Sequence, residues 1–170
     1  KTMNRDYVIG LDYGSDSVRA VLVDAHSGEQ IAEAVHAYER WKQGLYCDAA
    51  ESRFRQHPLD YIEGLHNVLH GILDPHPEIA PLVRAISVDT TASTPCLTDE
   101  HLQPLSLRDE FKDNPDAMFV LWKDHTGVEE AAEIERACAA SPINYTQVSG
   151  YHYSAECFWA KVLHLLRTNA

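Results

Sequence analysis

VIGLDYGSDSVRAVLVD, residues 8–24, sets two apolar runs, 7–11 and 18–23, on either side of Asp12-Tyr13-Gly14-Ser15-Asp16-Ser17. Runs rich in β-branched residues, broken by a short segment with Asp and Gly, read as a β-hairpin. The turn chemistry is the informative part. Asp12 closes the first strand, and Gly14, lacking a Cβ, lets other atoms approach the backbone closely. Successive N–H groups in such a bend can form a concavity for an anion, and a carboxylate beside it can hold Mg²⁺ through water. Ordinary hairpin turns also favour Asp, Gly and Ser for backbone reasons, so the hairpin residues alone leave both readings open.

Outward from the hairpin, His26-Ser27-Gly28-Glu29 is a second turn. Residues 30–38 follow as a third antiparallel strand with Ile31, Glu33, Val35 and Ala37 on one face. Residues 39–56 show no period, and Trp41, Tyr46 and Phe54 there are expected to pack. Pro58 suits a first helical turn, and Asp60 and Glu63 suit its positive end. Ile62, Leu65, Leu69, Ile72 and Leu73 then recur at helical spacing, until Asp74-Pro75-His76-Pro77 stops the helix. Residues 83–88 are expected as a central strand that delivers Asp89 at its tip. A short strand pair around Asp99-Glu100-His101, a charged loop over 108–117 and a strand over 118–122 come next. Thr126 with Glu129 predicts a capping box for a helix to about residue 140, whose acidic run 129–135 faces solvent. Residues 141–150 form a turn-rich loop. A last helix from Ser154 is expected to bury Phe158, Val162, Leu165 and Leu166. This mixed α/β order fits a sheet covered by helices.

The 170 residues, 45% of them hydrophobic, suffice for a domain with its own core and exclude a disordered tail. No apolar run approaches the roughly 20 residues that span a membrane. The polar start, KTMNRD, lacks the apolar core of a signal peptide, so a cytoplasmic protein with reduced thiols is expected. Cys47, Cys96, Cys138 and Cys157 show no C-x-x-C spacing and read as small core residues. A net charge of −12 opposes nucleic-acid binding, which needs clustered Lys and Arg, and leaves nucleotide binding open. His66 and His70, four apart, read as a solvated helix face rather than a metal pair.

Three strands carry polar residues at their C-terminal ends: Asp12, Asp89 and the cluster 123–125. In open α/β sheets that edge is where ligands bind. At these places the sequence resembles the FGGY carbohydrate kinases. GLDYGSDSVRAVLVD (10–24) is similar to the first phosphate motif of that family. ISVDTTASTP (86–95) and MFVLWKDHT (118–126) resemble its ribulose-phosphorylating members, and Thr126 stands where many sister kinases have Arg. The resemblance runs from about Tyr7 to Arg167. It implies the RNase H-like fold shared by actin, hexokinase and heat-shock 70 proteins, a mixed sheet flanked by helices. Residues 7–170 would be the N-terminal part of domain I, an incomplete first domain with the second domain absent.

The resemblance further implies ATP as phosphoryl donor, Mg²⁺ as cofactor and a terminal hydroxyl of ribulose as acceptor, in arabinose catabolism. Asp12 would be the catalytic, Mg²⁺-organising carboxylate, with Asp89 a second metal-proximal acid or the cap of the following turn. Gly14, Ser15, Asp16 and Ser17 would face the β- and γ-phosphates. Arg19 matches a family Arg near the phosphates or is a strand-surface residue. Thr91, Ala92 and Ser93 occupy a sugar-contacting loop, and Trp122, Lys123 and Asp124 would shape or bound the sugar pocket. Lys123 could equally pair with one of the many acids. The family's general base and most of its adenine site would lie beyond Ala170. The segment alone is therefore expected to be inactive, since loss of a general base costs about 10²–10⁴-fold.

Competing readings share parts of this pattern. An RNase H-like nuclease also places two Asp residues for metal chemistry, against which the negative charge counts. An actin- or heat-shock-70-like ATP switch would share the hairpin but lack the 91–93 loop and the 122–126 cluster. A xylulose or glycerol kinase is the nearest neighbour in chemistry. Self-association is left open, because a cut through a domain exposes apolar surface.

Overall fold

The computed structural model describes residues 5–169. The reading of the polar start therefore falls largely outside the described residues. The chain divides into two compact units. One comprises the chain up to Gln43 together with Pro58–Thr91, and the other comprises Gly44–His57 and the chain from Ala92 onward.

The first unit is built on a four-stranded sheet of β1 (Tyr7–Tyr13), β2 (Ser17–Asp24), β3 (Gln30–Ala37) and β6 (Val83–Thr90), in the order β3-β2-β1-β6. The hairpin pairs antiparallel, with Asp12 opposite Arg19, and β3 continues the meander. Strand β6 is parallel to β1. The mixed sheet agrees with the expected fold class. Helix α2 (Pro58–Leu73) covers one face through Gly64, Val68 and Ile72, all buried. Glycine lets the helix come close. A Cβ on Gly64 would lie 2.7 Å from Val18 Cγ1, and one on Gly71 2.8 Å from the Ala34 Cβ.

Ile9, Leu11, Val18, Ala20, Leu22 and Tyr38 complete that core. The Tyr38 ring stacks on Tyr61, and Tyr61 in turn stacks on Tyr13. Short helix α1 (Glu39–Lys42) is tied to α2 by Asp60, whose buried carboxylate accepts the Arg40 and Trp41 backbone N–H groups and the Arg40 guanidinium.

Two expectations change in this unit. Strand β6 is an edge strand in this sheet, not a central one, and Ile86 and Val88 are 52% and 59% exposed. Helix α2 packs on β2 and β3 and leaves that side of β6 uncovered. Ile62 is exposed too, because Gly64, Val68 and Ile72 form the buried stripe one step round the helix.

The second unit holds a small sheet of β4 (Cys47–Asp48), β5 (Arg53–Gln56) and β7 (Phe119–Val120), followed by α3 (Val128–Ala140) and α4 (Phe158–Thr168). The expected 118–122 strand shrinks to two residues, although Met118, Val120 and Leu121 are all buried. The strand pair near Asp99 reduces to one bridge, Thr98 to Pro104, around an Asp99 carboxylate that accepts the His101 and Gln103 N–H groups.

The capping box does not form. Gly127 is the N-cap of α3, and Thr126 hydrogen-bonds to Asp124 instead. Helix α4 buries Ala160, Lys161 and Leu165 while Phe158 and Leu166 face outward. In the acidic run of α3, Glu130 is buried against His164 and Arg167 of α4 rather than solvated. Among the described residues no helix is long and apolar enough to cross a membrane.

Candidate functional site

In the first unit the strand register aligns side chains across the sheet face opposite α2. Val35, Arg19, Asp12 and Asp89 form one row across β3, β2, β1 and β6, and Glu33, Val21, Gly10 and Ser87 form the next. Adjacent strands lie about 4.8 Å apart, so Asp12 and Asp89 are lateral neighbours at the C-terminal ends of two parallel strands. Both rows line one open cavity of about 490 Å³. Gly10 leaves its floor bare, since a Cβ there would crowd Val21 Cγ1 at 3.2 Å.

Asp12 is half exposed, and its carboxylate lies 3.6 Å from the Arg19 guanidinium. A loose pair at this exposure is worth little to folding. Asp89 lines the cavity and accepts the N–H of Thr90, its neighbour within β6, at 2.9 Å. The hairpin bend is tight: Gly14 N–H donates to the Ser17 carbonyl at 2.9 Å, and a Cβ on Gly14 would come within 3.3 Å of that oxygen. That N–H is thus engaged inside the turn rather than presented to an anion. Ser17 is buried, with its hydroxyl donating to Asp16, and the Asp16 carbonyl accepts the Tyr38 N–H.

The donor set at Asp12 and Asp89 bears on the expected Mg²⁺. Mg²⁺ is commonly held by one or two carboxylates, with water and substrate phosphates completing its shell. Two in-register carboxylates fit that pattern, and among the described residues no cluster of three or more His, Cys, Asp or Glu side chains could hold a metal without such help.

Thr91 ends the first unit, and Ala92 and Ser93 open the stretch of the second. Ser93 adopts φ 53°, a left-handed conformation uncommon for a residue with a Cβ. Within the second unit the 122–126 cluster is anchored from below. Asp124 is fully buried and accepts four hydrogen bonds, from Phe54 N–H, Arg55 Nε, Thr126 N–H and the Thr126 hydroxyl. Arg55, itself buried, also donates to Thr126 Oγ1 and lies 3.4 Å from Asp116. Lys123 places its ammonium 4.4 Å over the Phe54 ring, and Trp122 is partly exposed. Asp124 can therefore shape a pocket without offering an oxygen to its contents.

Two residues of weight, Arg55 and Lys161, were not marked by sequence reading, and Asp60, read as a helix-start acid, also ties α1 to α2. Lys161 is 1% exposed, and burial pulls its ammonium down to about 8 against the opposing charges of Asp124 and Glu156. A lone Arg or Lys in an amphipathic segment gives no signal that it will turn inward. The four cysteines are free and half-buried, and burial pushes the Cys96 thiol up to about 12.

No protein-family model matches the chain. Over 160 residues it is 48% identical to a ribulokinase of Vibrio parahaemolyticus, a match covering 93% of this chain and 28% of that protein. It is 34% identical over 169 residues to a ribulokinase of Halalkalibacterium halodurans, covering 96% of this chain and 30% of the relative. The chain thus spans about 30% of the length of these curated relatives. Among solved structures, a xyloylose kinase of Brucella ovis superposes with a TM-score of 0.73 over 96% of this chain and 30% of its own, at 18% identity. A Plasmodium falciparum glycerol kinase with ADP gives 0.64 at 12% identity, over 97% of this chain and 29% of its own. These likenesses show a shared fold.

Proposed function

The chain belongs to the ribulokinase family of sugar kinases, and from that premise we propose that it contributes the N-terminal part of the first domain of an ATP-dependent kinase that phosphorylates ribulose. The observation that carries the reading is the in-register pair Asp12–Asp89, at the C-terminal strand ends, on the open sheet face. The setting is the cytoplasm and the pathway is arabinose catabolism. ATP and Mg²⁺ are the co-substrate and cofactor.

Phosphoryl transfer depends on positioning and on stabilising the charge that grows on the transferred group. Mg²⁺, when bound, supplies positive charge to the phosphate oxygens. Asp12 and Asp89 would hold that ion from the sheet, largely through its water. Arg19 stands beside Asp12, where its guanidinium can meet a phosphate oxygen. Ser15 and Asp16 occupy the outward part of the hairpin bend. Gly14 keeps the bend tight, and Ser17 braces it from inside. The 91–93 loop, Trp122 and Lys123 would contact the sugar, while Asp124 fixes the shape of that segment. The proton of the attacking hydroxyl needs a general base, to which no residue of this chain is assigned, so the 170 residues alone should not turn over sugar.

The deciding experiment measures kcat/KM for ribulose, xylulose and glycerol with MgATP, using a ribulokinase-length protein that carries this chain. Ribulose should lead by at least about tenfold, the scale on which hydroxyl-binding sites discriminate. A preference for xylulose or glycerol would transfer the assignment to a sister kinase, and no ATP-dependent phosphorylation of any of them would remove it.

A further inference from the structure

We infer that Lys161 is a positioning residue that ties the 92–93 loop to the 121–122 turn, and so sets the shape of the sugar site; the inference rests on the reading of those two segments as sugar-facing. Both segments and α4 belong to the second unit. From the first turn of α4, Lys161 donates from Nζ to the Ser93 carbonyl at 2.5 Å, to the Leu121 carbonyl at 2.8 Å and to the Trp122 carbonyl at 3.4 Å. An ammonium has three N–H donors and no acceptor, so these three carbonyls use its full capacity.

The chemistry points to geometry as the purpose. Burying an ammonium is costly unless it is paired or hydrogen-bonded. Here the partners are backbone oxygens, not a carboxylate. The nearby acids are engaged elsewhere: Asp124 with Phe54, Arg55 and Thr126, and Glu156 with His125 at 3.0 Å. Backbone oxygens belong to the course of the chain, so a group that binds three of them fixes where two loops run. Ser93 is one of those partners and has the left-handed backbone, φ 53°. Such a conformation persists only where surroundings over-determine it, and Lys161 supplies one such constraint. Asp124, Glu156, Arg55 and Cys157 are the charged and titratable groups that act on its ammonium.

The test has three parts. Hydrogen–deuterium exchange on this chain compares wild type with Lys161→Met, which keeps the length of the side chain and removes its donors. Exchange should rise at least tenfold at 93–96 and at 121–124 together, with β1 and β2 unchanged. Kinetics in a ribulokinase-length protein should show the ribulose KM raised at least tenfold in Lys161→Met, with the ATP KM within twofold of wild type. The wild-type ribulose KM should climb between pH 7 and 9.5, as the ammonium loses its third donor, and this climb should be absent from the variant. Exchange that rises at one segment only, or at neither, overturns the tie. Loosening at both segments with ribulose KM unmoved would leave the tie standing and overturn the sugar reading of those loops. If Lys161→Met does not fold, Lys161→Gln takes its place, and exchange that stays at the wild-type level at both segments overturns the inference.

Discussion

Asp12 and Asp124 are the same residue type in opposite surroundings. Asp12 stands half exposed on an open sheet face, 3.6 Å from an Arg19 that is 61% exposed. Asp124 is sealed from solvent and accepts four hydrogen bonds, one of them the 2.9 Å contact from the buried Arg55. The second arrangement is committed to the fold, because every change to one partner leaves the other uncompensated in a medium of low dielectric. The first costs the fold almost nothing to maintain and leaves its oxygens open to a cation. Charge alone does not separate the two aspartates; solvent exposure and register with a second carboxylate across the sheet do.

The buried side of the comparison should give the largest effect. Asp124→Ala removes one partner of a buried pair and should cost about 3–5 kcal/mol of stability, read by urea denaturation of this chain. Arg55→Met combined with Asp124→Leu should recover part of that loss, since apolar replacement of both partners removes the orphaned charge. A loss below about 1 kcal/mol in Asp124→Ala would place Asp124 with the exposed acids and dissolve the contrast.

Asp12→Asn should do the reverse. Turnover in a ribulokinase-length protein should fall by about 10²–10³, the scale of one lost electrostatic contact to the transition state. The denaturation midpoint of the chain should stay within about 0.5 kcal/mol of wild type, as for surface substitutions generally. Near-normal turnover with Mg²⁺ present would remove the metal role.

This division explains what the sequence could and could not tell. Asp12, Gly14 and the flanking strands announced themselves, because hairpin geometry is local and its residues are adjacent in the chain. Asp89 was legible as a strand-end acid, but its pairing with Asp12 required the register of β1 and β6, set by residues about 77 positions apart along the chain. Asp124 was marked as a pocket residue through its neighbours, and burial, which is a property of three-dimensional packing, changed its meaning. Arg55 and Lys161 carried no sequence signal at all, since a long cationic side chain in an amphipathic segment ordinarily reaches for water. The edge position of β6 was missed for a related reason: an apolar strand looks central whether or not a neighbour covers it.

Between the two extremes lies the packed face of the sheet. Gly64→Ala would bring a methyl to 2.7 Å from Val18 Cγ1, and overpacking of this kind costs about 1–3 kcal/mol. The cost should show in denaturant unfolding and should shrink in the double variant with Val18→Ala, which opens the space. Additivity of the two changes would mean that α2 does not rest on β2 at this point.

The smallest stability effect should come from Arg19→Gln, and it probes the open row most directly. The Arg19–Asp12 pair is 3.6 Å long and solvent-facing on both sides, so screening and side-chain entropy cancel most of its attraction. Unfolding free energy should change by less than about 0.5 kcal/mol and should be insensitive to raising salt to 0.5 M. If Arg19 meets a phosphate oxygen, the same variant should raise the ATP KM several-fold while leaving the ribulose KM alone. A loss of stability above about 1 kcal/mol that fades with salt would instead make the Arg19–Asp12 pair part of the fold, and the open row would then resemble the buried network after all.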